Sequence, residues 1–305
     1  MLTRHDTLTA VAADFLSTHD LHPDPRGFLA QGFIGLFGAA WPGAGYSSLL
    51  LATQWGLWTW RVDDVIDTDL RTAAPGAADE LVMRLTDVLH GAPACADDHP
   101  TARALGHLVG RTAPAMPEDW WHRYRRELDT WLNAAADKLH NHVIPRRVPS
   151  LRRYLELRPA DGGMLLAAMW TELALDCVSP DWDTPLVQAV LRHFSSVGTL
   201  GNDLAARAGD PFTAQAALAQ AEGLTPASAR AEVEQLAAAE LRLFQLFRSA
   251  TREPMGWRDP AERIAPATVH LVDGLDTFLQ ALAGWTRSSS RYAIIPASRL
   301  PEAAR

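Results

Sequence analysis

Apolar positions recur along this chain every three to four residues, in stretches of several helical turns, with Pro- and Gly-containing breaks between them. The period predicts helices over roughly 5–18, 27–38, 45–68, 77–90, 100–112, 118–142, 148–157, 162–176, 182–207, 227–250 and 260–284, with a loop and a short helix across 210–226. Breaks fall at Pro23/Pro25, Pro42/Gly43, Pro75/Gly76, Pro93, Pro145, Pro180/Pro185 and Pro226. No β-branched stretch alternates with a period of two, no internal repeat is present, and neither a P-loop nor a dinucleotide glycine fingerprint occurs. Amphipathic helices bury their stripes by bundling, so the expected fold is all-α, a helical bundle around a central active-site cavity. After Trp285 the chain turns polar and basic, and the segment from about 285 to 305 is expected to act as a tail or lid.

Composition narrows this. With 305 residues, 48% hydrophobic and 21% charged, the chain suits a single domain over 1–305 with a substantial core. A net charge of -8 speaks against general binding of nucleic acid or an anionic membrane. An anionic substrate remains compatible with it, provided that metal ions and a few placed arginines receive the charge. Lys138 is the only lysine, a bias that genomic base composition explains without chemistry. Cys95 and Cys177 form no disulfide framework and no metal-binding spacing. The first twenty residues lack a sustained apolar region, and no run of 18 apolar residues follows, so a cytoplasmic protein is expected.

The first chemical signal is Trp58-Thr59-Trp60-Arg61-Val62-Asp63-Asp64-Val65-Ile66-Asp67. Asp63 and Asp67, four apart, project from one face of a helix, and Asp64 sits a little around the same turn. Like charges at this spacing destabilise a bare helix, and Mg²⁺, with its preference for oxygen, would offset them. A solvated acidic helix end fits the triplet too, but the apolar residues before it argue for a helix surrounded by protein. The second signal is the segment from His193 to Asp210, in which Asn202, Ala206 and Asp210 share a face if the helix continues that far. Alone, Asn202-Asp203 also fits a helix cap.

Together these stretches resemble the microbial class I terpene synthases. The aspartate-rich first motif of that family, Asp-Asp-x-x-Asp, is matched by Asp63, Asp64 and Asp67. The second, Asn-Asp-x-x-Ser-x-x-Lys-Glu, is matched by Asn202 and Asp203, with Asp210 in the place of the glutamate, Ala206 in that of the serine and Gly209 in that of the lysine. The pyrophosphate-sensing arginine, linker and effector glycine of the family align with Arg158, Asp161 and Gly162, and its C-terminal Arg-Tyr pair with Arg291 and Tyr292, preceded by Trp285. The resemblance covers about residues 45–292.

It implies a lyase that ionises a prenyl diphosphate, cyclises or rearranges the carbocation and releases diphosphate. The implied cofactor is Mg²⁺, three ions in the closed complex, with Mn²⁺ as a substitute, and the implied ligands are Asp63, Asp64, Asp67, Asn202 and Asp210. Arg158 would grip the diphosphate, Arg291 and Tyr292 would close over it, and Asp161 would relay the movement of Arg158 to the Gly162 carbonyl. Ala206 offers no oxygen; a water would fill the position, or Thr199 or Ser195 would help, although neither has the motif's spacing. Cation-stabilising aromatic faces would come from Trp60, three residues before Asp63, from Phe194, two turns before Asn202, and from Trp55, Trp170 and Trp285. The segment ahead of Asp63 is short for the family, and the resemblance slightly tilts the substrate toward C20 over C15, with a bicyclic, copalyl-type diphosphate made by a class II cyclase as one form of it. A homodimer is common in such proteins. Two rivals stand: an isoprenyl diphosphate chain-elongating synthase, which needs a second aspartate-rich motif and more basic residues, and a helical binding protein that has lost the chemistry, consistent with Ala206 and Gly209.

Overall fold

The structure is a computed structural model and describes residues 3–74, 76–206, 209–252 and 263–292. Thirteen α-helices and no strand make up the described residues: α1 (Arg4–Thr18), α2 (Pro25–Leu29), α3 (Phe33–Ala40), α4 (Tyr46–Asp64), α5 (Ala77–Leu89), α6 (Pro100–Thr112), α7 (Glu118–Lys138), α8 (Leu151–Asp161), α9 (Met164–Leu175), α10 (Pro185–Ala205), α11 (Ala214–Glu222), α12 (Pro226–Ala250) and α13 (Pro266–Ser288). Proline sits in the first turn of α2, α6, α10, α12 and α13, where its missing N–H costs nothing and its fixed φ is already helical. The side chains of Thr3, Asp24, Ser150, Thr184, Thr213 and Thr225 accept from the free N–H groups of the turns that follow them.

The helices at the centre are apolar almost all round, as burial on every side requires. In α9 every residue but Leu165 and Leu175 is buried. Helix α4 packs against α9, α6 and α3, and α13 covers α3, α9 and α10. By contrast α12, laid along α10, buries only Ala229, Val233 and Phe244. One charged pair is sealed in this core: Arg123 of α7 meets Glu172 of α9 at 2.7 Å, Glu172 being wholly buried and also receiving the Trp120 indole and the Ser179 N–H.

Four predicted helices end differently. The single helix expected at 27–38 is two, α2 and α3, because Gly32 between them takes φ +91° and a Cβ there would lie 3.2 Å from the Trp285 ring. The expected α-helices 45–68 and 118–142 each finish in a π-helical turn, Val65–Asp69 after α4 and Leu139–Val143 after α7. Helix α10 stops at Ala205, whose cap residue Ala206 is extended (φ -59°, ψ 156°). The expected end of that helix at 207 and the expected start of the last one at 260–262 lie outside the described residues, as does the lid beyond Tyr292.

Candidate active site

The π turn after α4 carries the third aspartate of the first motif. A π turn spreads i→i+5 bonds over one extra residue, and such turns occur mostly where function re-aims side chains. Here Asp63 and Asp67 still converge, on Lys138 at the end of α7, whose Nζ lies 2.8 Å from Asp67, 2.8 Å from Asp161 and 3.5 Å from Asp63. Burial works against the Lys138 charge, but Asp161, Asp67 and Asp63 overcome it and hold the ammonium well above the ordinary lysine range. Burial pushes the Asp67 carboxyl up to about 7, against the pull of Lys138. Lys138 is therefore part of the site, and base composition alone does not account for it.

On the facing wall, Arg158 near the end of α8 donates to Asp161 at 2.8 Å, to Asp203 at 2.6 Å and to Asn202 at 2.9 Å. Asp203, not Asn202, is the anchor of this group. It is buried, it accepts from the Tyr154 hydroxyl at 2.6 Å and from the Ala214 N–H at 2.8 Å, and so it ties α8 and α11 to the end of α10. Burial works against the Arg158 charge, and Asp203 and Asp161 more than offset it, holding the guanidinium above its usual range.

The α8–α9 junction needs its glycines. A Cβ on Gly162 would sit 2.2 Å from the Thr199 methyl group of α10, and Gly163 holds φ +64°. Trp131 donates to the Asp161 carbonyl at 3.1 Å, which fixes the turn from the α7 side.

The C-terminal segment bridges the two walls. Arg291 grips Asp64 through both guanidinium nitrogens, at 2.7 and 3.1 Å, and reaches Asp63 at 3.5 Å. The Asn202 amide donates to the Tyr292 hydroxyl at 2.6 Å. Trp285 and Ser289 anchor the segment by donating to the Gln31 carbonyl.

Of the aromatic candidates, three lie together. Trp60 meets Trp285 edge-on at 5.5 Å between ring centres and Trp170 at 6.3 Å, and Trp285 meets Tyr292 at 5.5 Å. Trp55 does not join them. It is fully buried, donates to Thr112 of α6 and packs on Trp58 and Tyr124. Phe194 likewise packs on Phe244 and Phe278, in the seam of α10, α12 and α13.

The shared face expected for Asn202, Ala206 and Asp210 does not form. Gly209 takes φ +85°, Pro211 follows Asp210, and Asp210 is exposed, with its carboxylate capping the Phe212 N–H. Thr199 does not substitute: its hydroxyl donates to the Ser195 carbonyl at 2.8 Å and its methyl faces Gly162. Ser195 is buried. Gly209-Asp210-Pro211 was the signal in the sequence for this helix end.

Among the described residues no three His, Cys, Asp or Glu side chains form a ready metal cluster, and the three carboxylates that do converge, Asp63, Asp67 and Asp161, meet on Lys138. The donor set nonetheless suits a hard divalent cation, because every ligand on offer is oxygen; Asp67 Oδ1 is sealed from solvent without a hydrogen-bond donor, its other oxygen being held by Lys138. Arg158 Nε is likewise buried and unpartnered.

Residues 54–242 match the family described as terpene synthase family 2, C-terminal metal binding. The chain is 26% identical over 263 residues to a (2Z,6E)-hedycaryol synthase of Kitasatospora setae, covering 83% of this chain and 77% of that one. It is 28% identical over 174 residues to a 4-epi-cubebol synthase, named as (2E,6E)-farnesyl diphosphate cyclizing, of Streptosporangium roseum; that match takes in 54% of this chain and about half (50%) of the relative. The crystal structure of germacradien-4-ol synthase from Streptomyces citricolor superposes with a TM-score of 0.81 over 93% of each chain at 19% identity, which establishes a common fold.

Proposed function

The chain belongs to terpene synthase family 2, and from that premise we propose that it ionises a prenyl diphosphate, cyclises the allylic cation and releases diphosphate. The observation that carries this reading is the pairing of two polar walls, Asp63/Asp64/Asp67 and Arg158/Asn202, joined across their mouth by Arg291 and Tyr292. The helical binding protein that has lost the chemistry is disfavoured, because both walls are assembled and both hold buried groups without partners. The elongating synthase is disfavoured by the second wall, which offers one amide and no second aspartate cluster.

Breaking the C–O bond separates charge, and the site must hold the leaving group. Bound divalent ions, Mg²⁺ in this proposal, would supply Lewis-acid stabilisation there. Asp63 is the first-wall ligand with the fewest short contacts to give up, since Arg291 covers Asp64 and Lys138 covers Asp67. On the second wall Asn202 is the available ligand, because Asp203 is committed to Arg158, Tyr154 and Ala214. Arg158 presents a fork of donors suited to a diphosphate. A shift of Arg158 onto that anion would pull on Asp161 and so on the carbonyl of Gly162. Trp60, Trp170 and Trp285 form the inert wall beside the polar mouth, where water would quench a cation and an aromatic face would steady it.

For the substrate we take farnesyl diphosphate first, supported by the cubebol synthase named for it. The tilt toward C20 or a copalyl-type diphosphate made by a class II cyclase rests on the sequence alone. The experiment incubates the protein with Mg²⁺ and, separately, geranyl, farnesyl, geranylgeranyl and copalyl diphosphates, and measures released diphosphate together with extractable products. A cyclic product from one of them, abolished by EDTA, is the expected result. Release that needs an added homoallylic diphosphate would instead identify an elongating enzyme, and no release would favour the binding protein.

A further inference from the structure

Resting on that reading, we infer that Lys138 is a resident cation of the aspartate wall: it occupies by charge the place of a divalent ion at Asp67, so that the site assembles with one divalent ion fewer per diphosphate than its aspartates would otherwise hold. The Lys138 side chain keeps only 8% of its surface exposed and ends among three carboxylates drawn from three elements, Asp63 at the end of α4, Asp67 in the π turn that follows it and Asp161 at the end of α8. An ammonium is a compact point charge with three donors, which matches three converging carboxylates, whereas a guanidinium delivers its donors in a plane. A chain that otherwise draws its side-chain cations from arginine and histidine places its single lysine here.

The second wall is reduced in step. Ala206 has no oxygen, Asp210 is turned away to cap Phe212, and Gly209 stands where the family motif has its lysine. The cation missing from that wall is present on the other. By bridging Asp67 to Asp161, which also holds Arg158, Lys138 couples the metal wall to the diphosphate-gripping residue without needing an ion between them. Lys138 thus acts as a positioning residue and a charge substitute.

The test counts Mn²⁺ bound to the full-length protein in the presence of inorganic diphosphate, by electron paramagnetic resonance of the free ion, with calorimetry for affinity. Lys138→Met should bind one more Mn²⁺ than the unsubstituted protein, and should bind Mn²⁺ about tenfold more tightly without diphosphate, because the cation repelling it is gone. Lys138→Arg keeps the charge and should keep the original count. Asp67→Asn should also leave the count unchanged, since Lys138 already occupies that carboxylate; this holds as a test even if Lys138→Met does not fold. An unchanged or lower count in folded Lys138→Met, or an ion lost in Asp67→Asn, would overturn the inference. Failure of the unsubstituted protein to take up any Mn²⁺ with diphosphate would overturn it by removing the proposed function beneath it, a result distinct from equal counts.

Discussion

At the scale of single residues, the candidate site is a chain of alternating charges: Arg291 on Asp64, Asp63 and Asp67 on Lys138, and Asp161 between Lys138 and Arg158, which ends on Asp203. Each buried charge has an opposite neighbour, which is the condition for keeping it charged away from water. Arg158 is bonded through two nitrogens to three acceptors, a fork that lysine cannot reproduce. Arg158→Lys is therefore expected to lower kcat/KM by about 100-fold, as loss of a placed donor does in other enzymes, checked by steady-state diphosphate release. Cysteine chemistry separates as sharply. Burial, with Glu172 and Asp176 adding to it, pushes the Cys177 thiol up to about 12, while Cys95 is exposed. A thiol reagent at pH 8 is expected to label one cysteine in the native protein and two in denaturant, counted by absorbance or mass.

Among elements, helix ends decide more than helix interiors. The α8–α9 corner passes so close to α10 that only glycine fits at 162. Gly162→Ala is expected to cost about 1–3 kcal/mol by overpacking. The double substitution with Thr199→Ser, which removes the obstructing methyl group, should recover part of that, and urea unfolding of the two variants checks both. The aspartate motif was legible in the sequence because its three members lie within one turn of each other. Arg158, Asp161, Gly162, Arg291 and Tyr292 were legible only through family resemblance, and the structure brings all five to the mouth of the site. Lys138, Tyr154 and the part Asp203 plays in anchoring Arg158 were not legible, since each acts on a side chain far along the sequence, the nearest being Asp161 at a separation of 23 from Lys138. The face shared by Asn202, Ala206 and Asp210, conditional on α10 reaching Asp210, is the opposite case, because Gly209 and Pro211 already spoke against that continuation.

For the molecule as a whole, α7 and α9 are pinned by Arg123 and Glu172, with the Arg123 guanidinium also 4.2 Å above the Trp182 ring. Removing one charge strands the other in a dry core. Glu172→Gln is therefore expected to destabilise the protein by about 3 kcal/mol, seen as a lower denaturation midpoint with an unchanged slope. Both walls of the site pack on this pinned pair: α4, which carries one, contacts α9, and of the helices that carry the other α8 contacts α7 and α9 and α10 contacts α9. A change in how α7 and α9 sit together would alter their spacing.

What the sequence determined by itself was local. Periodicity, proline-led starts and capping side chains specify helices, because each depends on residues three or four apart. The Asp63–Asp67 cluster belongs to the same class. Tertiary structure alone decided which of the aromatic residues join the site, that Trp55 and Phe194 serve the core, that two helices relax into π turns, and that the single lysine meets three aspartates. Those outcomes depend on which faces of distant helices come together. The energy that settles them is burial of apolar surface and pairing of charges taken from water, and neither leaves a mark in the spacing of neighbouring residues.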